Sequence, residues 1–205
     1  MLINIIKLNR KYNLKIKGML HIGAHECEEL RDYLKLKIKN VVWIEAMKDK
    51  VNFIKNKYPN LQIINAVISD KDDEKVTFNI TNNGQSSSIL ELGTHKQEHP
   101  HIFVTKKEEY TTQKLSTVIK KNNIDMENIN FLNLDIQGVE LRALKGLEEY
   151  INKVDYIYTE VNEKELYIGC DLISDIDIYL EKFGFQRVET SMTKHGWGDA
   201  FYVKS

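Results

Sequence analysis

The sequence contains little of several residue types that define special classes of protein. It has two cysteines, Cys27 and Cys170, among 205 residues, which excludes a disulfide framework and a four-thiolate zinc site. No apolar run approaches the roughly 20 residues that span a bilayer. Residues 1–10 also lack the long apolar core of a signal peptide. We therefore expect no membrane span and a reducing, cytoplasmic setting.

Neither sign of charge dominates, with 29 basic and 30 acidic residues and a formal net charge of -1. Dedicated nucleic-acid-binding proteins usually carry a strongly basic face or tail, so we expect no nucleic-acid partner. The sequence has 25 lysines, 24 isoleucines and 18 asparagines but only four arginines and two prolines. This bias towards A/T-rich codons indicates a low-GC bacterium or a large DNA virus, and in the second case the location would be the host cytoplasm. The oligomeric state is open, with a homodimer as one expectation.

Short apolar runs alternate with amphipathic stretches along the chain. The runs predict strands at 19–22, 41–44, 61–68, 76–80, 131–134, 156–161, 186–190 and 200–203, and the stretches between them predict helices at 26–36, 48–57, 115–121, 139–150 and 173–183. This alternation predicts an α/β fold with a doubly wound sheet. We divide the chain into an N-terminal helical extension (1–17) and one main domain (18–205). Because residues 81–101 show little periodicity, we predict a loop insertion at about 81–105.

Ligands bind such sheets at the carboxyl ends of the strands. Gly23 follows the first strand, where a glycine lets the backbone turn sharply, and Glu45 follows the second, where a carboxylate can accept hydrogen bonds from both ribose hydroxyls. The dinucleotide fingerprint G-x-G-x-x-G is absent, which disfavours NAD-dependent oxidoreduction. The pattern favours a nucleoside ligand without phosphates, and S-adenosylmethionine is the commonest of these. The alternative is that Gly23 only makes a turn and that Glu45 is solvated.

The segment 131–140, FLNLDIQGVE, is the most specific motif in the chain. It places Asp135 at the end of a strand and Glu140 in the first turn of a helix. Together with HIGAH at 21–25, WIE at 43–45, YTE at 158–160 and GWGDA at 196–200, it resembles the FkbM-type methyltransferase family over nearly the whole chain.

This resemblance implies a Rossmann-like class I methyltransferase fold with a mostly parallel, seven-stranded sheet and an antiparallel last strand. It implies an S-adenosylmethionine-dependent O-methyltransferase that acts on a hydroxyl of a sugar, a glycan or a related small metabolite. The cofactor-binding residues that it implies are His21, Gly23, Ala24, His25, Glu45, Ala46, Asn65, Ala66, Val67, Ser88 and Asp135. Many family members have glycine where this chain has Cys27, which puts the affinity for the cofactor in question. A catalytically inactive scaffold protein is therefore the alternative.

Methylation of a sugar hydroxyl calls for a base, a metal ion or both, because such hydroxyls are poor acids. Asp135 and Glu160 end adjacent predicted strands, and Asn162 follows, so three oxygen ligands could hold Mg2+ or another divalent cation. Asp135 as a direct base or cofactor contact is the other interpretation, with Glu160 as a cap for a neighbouring helix or loop. His195 is a third candidate base, unless it is a surface residue in a turn.

The predicted loop contains three histidines, His95, His99 and His101, and a serine run that ends at Ser88. Pro100 and the missing H-E-x-x-H pattern argue against a zinc site here. We predict instead a polar loop that closes over the acceptor. The serines have no Gly-x-Ser-x-Gly context, which disfavours a hydrolase.

Overall fold

The computed structural model describes residues 2–205, in which strands and helices alternate as the sequence predicts. The strands are β1 (Met19–Ile22), β2 (Val41–Glu45), β3 (Gln62–Asn65), β4 (Val67–Ile68), β5 (Lys75–Thr81), β6 (Val104–Gln113), β7 (Phe131–Leu134), β8 (Tyr156–Asn162), β9 (Phe185–Met192) and β10 (Trp197–Lys204). The α-helices are α1 (Ile5–Tyr12), α2 (Leu30–Lys35), α3 (Lys48–Lys57), α4 (His95–Glu98), α5 (Leu115–Lys121), α6 (Glu140–Gly146) and α7 (Ile173–Glu181), and 3-10 turns span Met126–Asn128 and Glu148–Lys153.

Seven strands form the main sheet in the order β3-β2-β1-β7-β8-β10-β9. The first five are parallel to one another, and β10 runs antiparallel to both of its neighbours, β8 and β9. The predicted seven-stranded, mostly parallel sheet with an antiparallel last strand is therefore confirmed.

The central strands are apolar along their whole length because both of their faces are covered. All four residues of β1 are buried, and so are all four of β7. Leu20 and Ile22 belong to the larger core cluster on one face, and Met19 belongs to the cluster on the other face. Helices on both sides of a parallel sheet produce this continuous burial.

The sheet changes winding direction between β1 and β7, which places the turns after these two strands side by side. The Asp135 N–H donates to the Ile22 carbonyl at 3.0 Å. A crevice opens at this position in doubly wound sheets, outside the carboxyl ends of the strands. The chain topology therefore fixes where a ligand can bind.

The region between β3 and α5 differs from the prediction in three ways. The predicted strand 61–68 breaks at Ala66 into β3 and β4, because its second half leaves the main sheet. The segment 104–113, which received no prediction, forms the long strand β6 and pairs with β4 and β5 in a second sheet. The predicted loop between β5 and β6 also contains one short helix, α4.

The N-terminal segment packs against the main sheet at β8 and β10. Ile5 and Leu8 of α1 are buried in the same cluster as Tyr158 and Phe201. The Ile3 N–H also donates to the buried Asp199 carboxylate at 3.1 Å. Among the helices of residues 2–205, none has the length and apolar character that crossing a membrane requires.

Candidate active site

A cavity of about 450 Å3 opens at the carboxyl ends of the main-sheet strands. This volume lies within the range of small-molecule sites. Its walls come from the turns after β1, β2, β3, β7 and β8, from the β5–β6 connection and from the start of β10. The cavity therefore occupies the position that the topology predicts.

Gly23 makes the turn after β1, with φ at +88°. A Cβ at this position would lie 1.8 Å from the Asp135 carbonyl oxygen, a distance that no side chain tolerates. The backbones after β1 and β7 can therefore approach each other closely only because residue 23 is glycine.

The Glu45 carboxylate at the end of β2 is held in place by backbone donors. It accepts hydrogen bonds from the His25 N–H at 2.7 Å and from the Met47 N–H at 2.8 Å. Each oxygen keeps acceptor capacity beyond its one bond. Burial raises the pKa of Glu45 above its ordinary value, and the backbone donors oppose that rise because they favour the charged form.

Beside Glu45, the cavity wall is apolar. Ala46, Met47, Ala66, Val67 and Phe78 all line the cavity here, and Met47, Val67 and Phe78 form one buried cluster. An apolar slot next to an acidic strand end suits an adenine ring and its ribose. Asn65 lies outside this slot, since its amide donates to the Glu45 and Ala46 carbonyls at 2.9 and 2.7 Å.

The Gln137 amide bridges the two carboxyl groups predicted to be catalytic. Its Nε2 donates to Asp135 Oδ1 at 2.7 Å and also to Glu160 Oε2, and all three residues line the cavity. Gln137 has φ at +58°, a conformation that non-glycine residues adopt rarely and mostly at turns or functional sites. The Tyr167 hydroxyl donates to Gln137 Oε1 at 2.5 Å, which fixes the orientation of the amide.

The two carboxyl groups share a desolvated environment. Burial, followed by the charge of Asp135, raises the pKa of Glu160 well above its ordinary value. Two carboxyls in such a site cannot both ionise at low cost. At neutral pH, Glu160 is therefore the protonated member of the pair.

Two further polar side chains hold the turn that carries Gln137. Glu140 is buried and accepts from the Ile136 and Gly138 N–H groups at 2.9 and 3.0 Å. Burial raises the pKa of Glu140 to about 8. The Ser88 hydroxyl donates to the Gln137 carbonyl at 2.8 Å. Ser88 therefore supports the site from behind and does not line the cavity.

The expected divalent cation on Asp135, Glu160 and Asn162 is not supported. A donor, the Gln137 amide, is placed where a cation would need oxygen acceptors, and Asn162 does not line the cavity. In the part of the chain that the structure describes, no three His, Cys, Asp or Glu side chains are arranged to hold a metal ion.

The predicted loop brings its histidines to the open end of the cavity. His95, His99 and His101 line it, together with Tyr167 and Trp197. His195 lies just outside, with its Nδ1 2.6 Å from Glu98 Oε2 and its ring centroid 4.9 Å from that of His99.

Most of the predicted cofactor residues surround the cavity. Those that line it are His21, Gly23, His25, Glu45, Ala46, Ala66, Val67 and Asp135, whereas Ala24, Asn65 and Ser88 lie behind the wall. Of the candidate catalytic residues, Asp135 and Glu160 line it and His195 does not. Gln137, Phe78 and Trp197 also line the cavity and were not among the predicted site residues. The available signals were the position of Gln137 in the motif FLNLDIQGVE and that of Trp197 in GWGDA.

Cys27 lies away from the cavity. Its side chain is buried and lines a separate surface pocket beside Arg31 and Tyr58. Its φ is +58°, which explains why a glycine would suit this position. The position of Cys27 therefore does not support the doubt about cofactor affinity, because the thiol does not line the cavity.

The residues of the cavity fit S-adenosylmethionine. The donors and acceptors match a ribose at Glu45, and the apolar slot matches adenine. His25 Nε2, which lines the cavity, is buried and has no hydrogen-bond partner among residues 2–205, so one polar group of the wall is left for a ligand. The fold and this site define a Rossmann-like class I methyltransferase.

Residues 21–187 match the methyltransferase FkbM domain, and the chain belongs to this family. Among curated proteins, it is similar to the 2-O-methyltransferase NoeI of Sinorhizobium fredii, with 23% identity over 164 residues. That match covers 74% of this chain and 65% of the relative, so the chain spans a little under two thirds of the relative's length.

Solved structures of methyltransferases share the fold. The magnesium protoporphyrin IX methyltransferase of Synechocystis PCC 6803, solved with bound S-adenosylmethionine, has a TM-score of 0.51 and 11% identity, over 98% of this chain and 76% of that one. The ribosomal protein L11 methylase of Lactobacillus delbrueckii subsp. bulgaricus has a TM-score of 0.55 and 8% identity, over 98% and 77%.

Proposed function

We propose that the protein is an S-adenosylmethionine-dependent O-methyltransferase that acts on a hydroxyl of a sugar or glycan. The observation that carries the proposal is one cavity that runs from Glu45 at the end of β2 to Glu160 in β8. Three strand spacings separate these ends, or about 14 Å. This is room for a nucleoside at one end and an acceptor at the other, with Asp135 between them.

When bound, S-adenosylmethionine supplies an activated methyl group on its sulfonium. Glu45 would hold the ribose hydroxyls, and the apolar slot would hold the adenine. Asp135 would accept the proton of the acceptor hydroxyl, which makes the acceptor oxygen a better nucleophile. The Gln137 amide, which donates to both carboxyl groups, holds Asp135 in place beside the acceptor.

The family and the curated relative support O-methylation, since that relative is named a 2-O-methyltransferase. The sugar or glycan acceptor is the finer part of the proposal. A cytoplasmic location, a homodimer and the absence of a nucleic-acid partner remain predictions.

Calorimetric titration of S-adenosylmethionine, and separately of NAD, tests the cofactor. We expect micromolar binding of S-adenosylmethionine and none of NAD. Glu45→Ala should weaken binding about 10- to 100-fold, because hydrogen bonds to a charged acceptor contribute about 1.5–3 kcal/mol. The exposed Glu163 provides a control, and Glu163→Ala should leave binding unchanged.

Transfer of a radioactive methyl group to a panel of sugars tests turnover. Asp135→Asn should bind the cofactor and lose transfer at least 100-fold, as expected for a general base. Binding of the cofactor without transfer to any acceptor would favour the inactive scaffold. Binding of neither ligand would overturn the methyltransferase proposal.

A further inference from the structure

The open end of the cavity has a distinct chemical character. We call it the acceptor mouth and define it as His95, His99, Leu166, Tyr167 and Trp197, all of which line the cavity. Tyr167 connects it to the carboxyl pair, since its hydroxyl donates to the Gln137 amide that bonds Asp135 and Glu160. Its side chains are imidazoles, aromatic rings and one leucine, with no carboxylate or ammonium group among them.

The rings of the mouth contact one another. The centroid of His95 is 4.9 Å from that of His99 and 5.5 Å from that of Tyr167. His95 has only 6% of its surface exposed, and its Nδ1 has no hydrogen-bond partner among residues 2–205. Leaving a buried polar atom without a hydrogen-bond partner is unfavourable. A ligand that hydrogen-bonds to His95 would recover this cost.

The imidazoles of the mouth are neutral near pH 7. Burial lowers the pKa of His95 to about 4, and His99 and His101 add to the effect. Burial, with His195 as the next cause, also lowers the pKa of His99. A neutral imidazole offers one donor and one acceptor nitrogen. That pair suits hydroxyl groups, which both donate and accept.

The charged groups around the mouth do not form an anion site. Glu98 pairs with His195, and the Lys164 side chain lies against Gly196, its Cγ and Cδ 3.0 Å from where a Cβ would stand. Lys96 and Lys194 are exposed on the surface. An anionic acceptor would find no charged side chain inside the mouth.

We propose that the acceptor mouth binds an uncharged pyranose ring. One face of the sugar ring packs on the Trp197 indole, and the sugar hydroxyls form hydrogen bonds to His95 and His99. Sugar rings present apolar C–H faces and polar edges, and the mouth presents an aromatic surface beside neutral donors and acceptors. This inference rests on the proposed function, and it adds the charge and the shape of the acceptor.

Tryptophan fluorescence can report on the mouth directly. The chain has two tryptophans. Trp43 is fully buried and stacks on His21 at 4.6 Å, whereas Trp197 lines the cavity. The variant Trp43→Phe isolates the Trp197 emission, and Trp197→Phe is the control that lacks this emission.

The titration uses protein saturated with S-adenosylhomocysteine, the product of the methyl donor. The neutral probes are the methyl pyranosides of glucose, galactose, mannose, fucose and N-acetylglucosamine, and the anionic probes are glucuronic acid and glucose 6-phosphate. We expect at least one neutral probe to change Trp197 emission with millimolar affinity. His95→Ala should weaken that affinity at least about fivefold, and Lys96→Ala, at an exposed position that does not line the cavity, should leave it unchanged.

Two different failures can be told apart. If S-adenosylhomocysteine does not bind, the proposed function fails. If it binds and no neutral glycoside changes Trp197 emission, or if the anionic probes bind more tightly, the neutral-pyranose inference fails and the proposed methyltransferase stands.

Discussion

The Tyr167 hydroxyl donates a 2.5 Å hydrogen bond to Gln137 Oε1, and this contact decides which way the Gln137 amide faces. Because Oε1 points to Tyr167, Nε2 must point to Asp135 and Glu160. One amide N–H group thereby bonds each carboxyl. Burial and the charges of Glu160 and Asp135 raise the pKa of Tyr167 well above its ordinary value, so the phenol remains a donor at every pH at which the protein would work.

The first prediction concerns the protonation of Glu160, which accepts from the same Gln137 amide as Asp135. We expect the infrared spectrum at pH 7 to contain a protonated-carboxyl band that Glu160→Gln weakens, because Glu160 is protonated at this pH; the buried Glu140, with its pKa raised to about 8, contributes the rest of the band. Glu163→Gln changes an exposed carboxylate. The difference between its spectrum and that of wild type should show no protonated-carboxyl band. An identical band in wild type and Glu160→Gln would show that Glu160 is ionised.

The second prediction distinguishes two reasons why a position requires glycine, a positive φ and a lack of space for a Cβ. Gly23 and Gly169 both have positive φ, at +88° and +72°, but a Cβ at Gly169 meets nothing within 4 Å. Gly169→Ala should lower the free energy of unfolding by about 1–2 kcal/mol, the cost of the left-handed conformation. Gly23→Ala should cost more, because its Cβ collides with the Asp135 carbonyl, and it should weaken cofactor binding more than about tenfold.

Urea unfolding and calorimetry of both variants measure these effects. Equal losses of stability in the two variants would mean that the turns after β1 and β7 separate easily. The close approach at Gly23 would then not be a requirement of the site.

The sequence predicted the main sheet because each central strand is a short apolar run buried on both faces. It did not predict β6, whose sequence VTKKEEYTTQ carries charged residues and lacks an apolar run. That strand pairs with β5 and leaves much of its surface to solvent, so it lacks a hydrophobic signal. The split of β3 from β4 is likewise a property of the whole fold, since both halves are apolar.

The candidate site likewise contains some residues that could be predicted from the sequence and others that could not. Gly23, Glu45, Asp135 and Glu160 were predictable because the ends of parallel strands meet at one edge of the sheet. Tyr167 lies 30 positions after Gln137, and no local pattern indicates that their side chains meet. Trp197 and the loop histidines converge through the packing of separate connections. Such contacts depend on loop conformations that the sequence does not specify.

The third prediction concerns Cys27, which occupies a left-handed conformation outside the cavity. Cys27→Gly relieves about 1–2 kcal/mol of backbone strain and loses the buried thiol and some chain stiffness, about 1 kcal/mol or more together. These terms largely cancel, so the free energy of unfolding should change by less than about 1 kcal/mol. Cofactor affinity by calorimetry should stay within about twofold, and a tenfold gain would place Cys27 back in the cofactor site.

The last prediction follows from the buried imidazole of His21. The Tyr33 hydroxyl accepts from Asn133 Nδ2 at 2.7 Å and lies 2.9 Å from His21 Nδ1. Its own hydrogen is therefore free to bond a neutral imidazole. Burial lowers the pKa of His21 to about 4 from its ordinary value of 6.5. The imidazole of His21 therefore binds a proton less tightly in the folded state than in the unfolded state.

The lowered pKa fixes the direction of the pH dependence. The contribution of His21 to stability is complete above pH 6.5 and is lost as the pH falls to about 4, by about 3 kcal/mol in all. Urea unfolding of wild type and His21→Gln should therefore show a difference in unfolding free energy that shrinks over this window. Asn56→Gln, which changes an exposed side chain without a titratable group, should give a constant difference. A constant difference for His21→Gln as well would mean that the imidazole accepts a proton without loss of the fold.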